Sequence, residues 1–81
     1  MEIKISLFAA LRDASGETEV RLPWRQGMTP LDIVEQLQKR FRPAASLFAV
    51  SFVAINGQYA EQTAVLEPED EVAVLPPVSG G

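Results

Sequence analysis

The chain has no cysteine and no histidine. Without a thiol it forms no disulfide, holds no thiolate iron–sulfur cluster and offers no cysteine nucleophile. Without imidazole, most zinc sites and the usual acid–base group at neutral pH are gone too. No apolar run approaches the ~20 residues that a membrane-spanning helix requires. Basic residues are few: seven Lys and Arg stand against eleven Asp and Glu, a net charge of −4. Their one cluster, Lys39, Arg40 and Arg42, is read as complementing the C-terminal end of a helix dipole, so neither a nucleic-acid nor a membrane partner is expected. The opening MEIKISLF alternates polar and apolar residues where a signal peptide would carry a basic start and an apolar run, so the expected location is cytoplasmic. The sequence shows neither a Gly-rich phosphate loop nor a convincing carboxylate pair. The chain is expected to bind no metal and no cofactor, and to have few tools for catalysis of its own.

What is present is a pattern of short elements in 81 residues, a length that supports one core. Residues 2–8 place Ile3, Ile5 and Leu7 on one face and Glu2, Lys4 and Ser6 on the other, the period of a half-buried strand. A turn or two of helix is read for 9–15, before Gly16. A second strand over 17–22 points Val20 and Leu22 inward and ends at Pro23. Thr29-Pro30-Leu31-Asp32 then starts a helix: an N-cap hydroxyl, a proline whose missing N–H costs nothing there, and an acid in the first turn. Leu31, Val34, Leu37 and Phe41 form its expected apolar stripe, and it ends before Pro43. A strand over 50–55 runs into Asn56-Gly57, a strong hairpin signal, with the return strand starting at Gln58 and Tyr59. Residues 67–70 read as a turn and 71–75 as the last strand, stopped by Pro76-Pro77.

The order is strand, strand, helix, strands, with one main helix available to cross one face of a mixed sheet. This is the order of an α+β fold of the β-grasp, or ubiquitin-like, type, with a domain over 1–75 and a flexible diglycine tail over 76–81.

The tail, PPVSGG, adds nothing to a core, because glycine loses more conformational freedom on ordering than any other residue. Extended at roughly 3.3 Å per residue it reaches about 20 Å past the last strand. Pro76 and Pro77 favour a stiff departure, and Val78, Ser79 and the narrow Gly80-Gly81 suit insertion into a channel on another protein. The expected reactive group is the α-carboxylate of Gly81. Adenylation with ATP would turn this poor electrophile into a mixed anhydride open to sulfur or nitrogen nucleophiles.

The opening IKISLFAALRDASG, the helix after MTPLDIVEQL, the V-A-I-N-G hairpin and above all the ending DEVAVLPPVSGG resemble the small, sulfur-carrier subunits of molybdopterin synthases, over the whole chain. The resemblance implies that an E1-like adenylating enzyme uses ATP to activate Gly81, and that a sulfur donor system converts it to a thiocarboxylate. It also implies that the tail inserts into the large subunit of molybdopterin synthase and gives sulfur to cyclic pyranopterin monophosphate. It suggests a heterotetramer of two small subunits on a large-subunit dimer. A carrier that holds sulfur in this way needs no thiol, in agreement with the missing cysteine.

The resemblance also puts Phe8, Arg12 and Leu75 near the docking face, with Tyr59 as a further candidate. Phe8 and Leu75 read equally well as core residues, Arg12 as solvated surface and Tyr59 as sheet packing. Trp24 is read as covering one end of the core. The acidic run Glu67, Glu69, Asp70 and Glu71 could steer a basic activating enzyme, but a solvated turn is the preferred reading. Three other functions remain open: a sulfur carrier of the thiamine pathway, a ubiquitin-like protein modifier, and a non-catalytic interaction module whose tail is inert.

Overall fold

The computed structural model describes residues 1–77. Its elements are β1 (Glu2–Leu7), α1 (Ala10–Ser15), β2 (Glu19–Pro23), α2 (Pro30–Arg40), a 3₁₀ turn (Arg42–Ala44), α3 (Ala45–Ala49), β3 (Phe52–Ile55), β4 (Gln58–Tyr59) and β5 (Val72–Leu75). The sheet order is β2-β1-β5-β3-β4. The β1–β5 pair is parallel and the other three are antiparallel, so the sheet is mixed as expected. The first and last strands are neighbours at its centre.

Period-2 alternation sets the core. Ile3, Ile5 and Leu7 of β1, Val20 and Leu22 of β2, Val53 of β3 and Val72 and Val74 of β5 all turn to the helical side and are buried. Full burial of such a side chain is worth about 1.5–3 kcal/mol, so this face is the main source of cohesion. No polar or charged residue is buried among the described residues.

The helix α2 starts as its sequence predicts. The Thr29 hydroxyl accepts from the Asp32 N–H at 3.3 Å and the Asp32 carboxylate accepts from the Thr29 N–H at 2.9 Å, a reciprocal capping box. The stripe differs from expectation: Pro30, Ile33 and Leu37 are buried, whereas Leu31 is 41 % exposed. At about 100° of rotation per residue, Leu31 lies a full step around the helix from Pro30, while Ile33 and Leu37 share its side. Val34 and Phe41 pack at the edge of the core.

A further helix not foreseen in the sequence follows. Pro43 stops α2 from continuing and lies second in the 3₁₀ turn that starts at Arg42, within the first turn, where proline loses no hydrogen bond. The turn leads into α3, which buries Phe48 in the core and stacks it on Phe41 at 6.1 Å. Gln38 fixes this arrangement, donating from Nε2 to the Ala45 carbonyl at 3.0 Å. The lower end of the core is closed by Trp24, whose indole N–H donates to the Leu66 carbonyl at 2.9 Å.

Candidate functional site

The sheet's outer face carries the side chains that alternate away from the core, and strand register sorts them into rows. Phe52 is opposite Leu75, and Phe8, one residue beyond β1, donates its N–H to the Val74 carbonyl at 3.3 Å. Phe8, Leu75 and Phe52 therefore form one apolar row. Phe8 is 45 % and Phe52 52 % exposed, and Leu75 is half-buried; none of the three belongs to the core. Tyr59, 73 % exposed, meets Phe52 edge to face at 5.8 Å between centroids, so the aromatic surface continues onto β4.

The next row is small. Ser6 pairs with Ala73, and Ala73 with Ala54, across three strands. These side chains floor a trough of about 600 Å³ that has Phe8 on one side and Glu69 and Glu71 on the other. Towards β2 the face becomes charged: Glu19 lies 3.9 Å from Lys4 Nζ and 3.7 Å from Arg21 Nε.

Two turns place these groups. Asn56 and Gly57 both have positive φ, 52° and 84°, as a two-residue type I′ hairpin needs. Asn56 also reaches across the chain: its Nδ2 donates to Asp70 at 3.0 Å and its Oδ1 accepts from the Glu71 N–H at 2.9 Å. Asp70 in turn accepts from the Glu67 N–H at 2.8 Å, so the acidic loop is tied to the hairpin. At the other end, the Leu11 N–H donates to the Phe8 carbonyl at 3.1 Å, and Ala9 has φ 52° and ψ −125°. This is the first central position of a type II′ turn, where glycine is favoured, so an alanine there is strained beside the exposed Phe8.

Of the residues singled out in the sequence, Phe8, Leu75 and Tyr59 lie on this surface. Arg12 does not join the row; it is exposed on α1, 3.9 Å from its neighbour Asp13. Pro76 and Pro77 follow β5 directly, and Val78, Ser79, Gly80 and Gly81 lie outside the described residues. Phe52 was missed, although counting back from the Asn-Gly turn sets Ala54 opposite Tyr59 and Phe52 two residues further along the same face, in diagonal reach of Tyr59. Among the described residues no group of three or more His, Cys, Asp or Glu is arranged to hold a metal ion, and no helix is long and apolar enough to cross a membrane.

A five-stranded mixed sheet with α2 across one face, a central parallel pair and the last strand leading into the tail defines a ubiquitin-like β-grasp protein. Residues 5–81 match the profile of the ThiS family, and the chain belongs to that family. It is 31 % identical over 81 residues to the molybdopterin synthase sulfur carrier subunit of Arabidopsis thaliana, covering all of this chain and 84 % of that protein. Among solved structures, small archaeal modifier protein 1 of Haloferax volcanii superposes with a TM-score of 0.82 at 26 % identity, over 95 % of this chain and 98 % of the other. A chain of the complex between subunits 1 and 2 of the molybdopterin-converting factor of Helicobacter pylori shares the fold, with a TM-score of 0.67 at 18 % identity and full coverage of both chains.

Proposed function

We propose that this protein is a sulfur carrier in molybdenum cofactor biosynthesis, working as the non-catalytic, sulfur-donating subunit of a molybdopterin synthase. The Gly81 carboxylate attacks the α-phosphate of ATP on an E1-like enzyme, and pyrophosphate leaves. A sulfur nucleophile from the donor system then displaces AMP from the acyl adenylate and leaves a thiocarboxylate. Its sulfur attacks a carbon of cyclic pyranopterin monophosphate in the large subunit, and a C–O bond at that carbon breaks with the oxygen as leaving group. Water then cleaves the acyl C–S bond of the resulting thioester, leaving sulfur on the pterin and freeing the carboxylate for another cycle.

The observation that carries the reading is the position of β5. It lies mid-sheet and ends at Leu75, between Phe8 and Phe52, so the chain leaves the fold from within an apolar row. A partner that accepts residues 76–81 meets that row first, and half-exposed aromatic side chains are the type that dominates interface energetics. The name of the Arabidopsis thaliana relative and the absence of any thiol on the chain support the same reading.

The deciding experiment is the intact mass of the purified chain after incubation with ATP, an E1-like enzyme and a sulfur donor, run beside a chain lacking Gly81. An oxygen-to-sulfur increment confined to the full chain is expected, and sulfur transfer by the shortened chain would sink the proposal. The likeness to small archaeal modifier protein 1 favours a second reading, attachment to lysines of target proteins. Its signature is a ladder of conjugates that depends on Gly81.

A further inference from the structure

Asn56 is the single asparagine of the chain, and a glycine follows it. Asparagine is a labile side chain, most of all in this pairing. The amide nitrogen of the next residue can attack the asparagine Cγ and close a five-membered imide, a ring that any side chain on that next residue would crowd. Both residues are exposed, and no heavy atom beyond the chain neighbours lies within 4 Å of where a Cβ on Gly57 would stand. The Asn56 amide is nevertheless engaged at both ends. Nδ2 donates to Asp70 at 3.0 Å and Oδ1 accepts from the Glu71 N–H at 2.9 Å, while the Asn56 N–H donates to the Glu71 carbonyl at 2.8 Å. Asp70 is itself fixed by the Glu67 N–H at 2.8 Å. These bonds draw the amide across to residues 70 and 71. Ring closure has to swing Cγ to the Gly57 nitrogen along its own chain, so both side-chain bonds must open first.

We propose that Asn56 is a site of spontaneous deamidation, that its bond to Asp70 sets the rate, and that conversion unfastens the acidic loop from the hairpin. The Gly57 nitrogen bonds to Asn56 Cγ, the Cγ–Nδ2 bond breaks, and the proton lost by the attacking nitrogen leaves with the ammonia. Water then opens the imide, at Cγ to give aspartate or at the main-chain carbonyl to give isoaspartate. The sum is amide plus water going to carboxylate plus ammonium, with no oxidant and no partner. In the aspartate product a carboxylate oxygen replaces the donor that faced Asp70, so a hydrogen bond becomes a contact between like charges. The isoaspartate product adds a methylene to the backbone of a two-residue turn whose geometry sets the pairing of Ala54 with Tyr59 and of Ile55 with Gln58. Tyr59 then loses its place against Phe52. The change thus reaches the apolar row through β4, while the pairing of β1 with β2 is untouched.

The test holds the full-length chain in mildly alkaline buffer, native and in denaturant, and follows intact mass, peptide maps and labelling by an isoaspartyl methyltransferase. Conversion of the native chain at residue 56 is expected, roughly tenfold or more slower than in denaturant, where the tie is open throughout. Asp70→Ala removes the acceptor and should convert roughly tenfold faster than the unaltered native chain, the effect of one hydrogen bond to a charged group. Asn56→Asp, the aspartate product made directly, should lower Tm by about 4–8 °C. If Asp70→Ala does not fold, the native and denatured rates of the unaltered chain still decide. Equal rates in those two states, a native chain that does not convert, conversion at Gln26 beside Gly27 in place of Asn56, or an Asn56→Asp chain as stable as the original overturns the proposal.

Discussion

The outer face of the sheet divides between β1 and β5. On the β2–β1 side Glu19, Lys4 and Arg21 form an exposed ion-pair network. On the β5–β3–β4 side Leu75, Phe52 and Tyr59 leave apolar surface open to water. Both halves belong to one sheet and cover the same kind of core, so stability does not demand the difference. Exposed charges on a strand near an edge deter unwanted pairing, whereas an exposed aromatic row costs solubility unless something covers it. On the function proposed above, the contrast separates finished surface from the half that a partner would cover.

The comparison can be broken most severely from beneath. Ile5→Ala, on the core side of β1, should destabilise the fold by about 2–5 kcal/mol and remove both halves together, read by denaturant unfolding. Phe52→Asp should instead leave the unfolding midpoint nearly unchanged while weakening binding to the large subunit about thirtyfold, the size of an interface hot spot. An equal drop in stability would mean that the apolar half supports the fold and not a partner. Ala9→Gly should relieve the positive-φ strain and stabilise by about 1 kcal/mol, raising Tm by several degrees. If binding falls as stability rises, the strained turn serves to present Phe8. Glu19→Gln, in the charged half, should change stability by less than about 0.5 kcal/mol and binding by less than twofold.

Local physics explains what could be seen in the sequence. Alternation at Ile3, Ile5 and Leu7, the capping box at Thr29 and Asp32, and the Asn56-Gly57 turn each involve residues close together in the chain, and all three appear in the structure. The β-grasp order follows from them. The apolar row was only partly legible, because Phe8 reaches Leu75 through the parallel pairing of the first and last strands and Phe52 reaches it through the antiparallel pairing of β3 with β5, both far apart along the chain. No short pattern specifies either register. The helix α3 was missed for a related reason: its five residues carry no cap, and Phe48 and Gln38 hold it through contacts with α2. The exposed Leu31 shows that counting apolar spacings alone leaves the rotational phase of a helix free by one residue.

The central place of β5 also bears on how the protein comes into being. A chain is made from its first residue onward, so the strand that joins the two halves of this sheet is the last of the five to be synthesised. Until it arrives, β2–β1 and β3–β4 are separate two-stranded ribbons, each marginal in water. Closing the sheet then requires contacts far apart along the chain, a slow step for folding. Completion of the fold and presentation of the residues after Leu75 thus become one event, and a nascent chain offers a partner no folded surface until the strand that leads into the tail is in place.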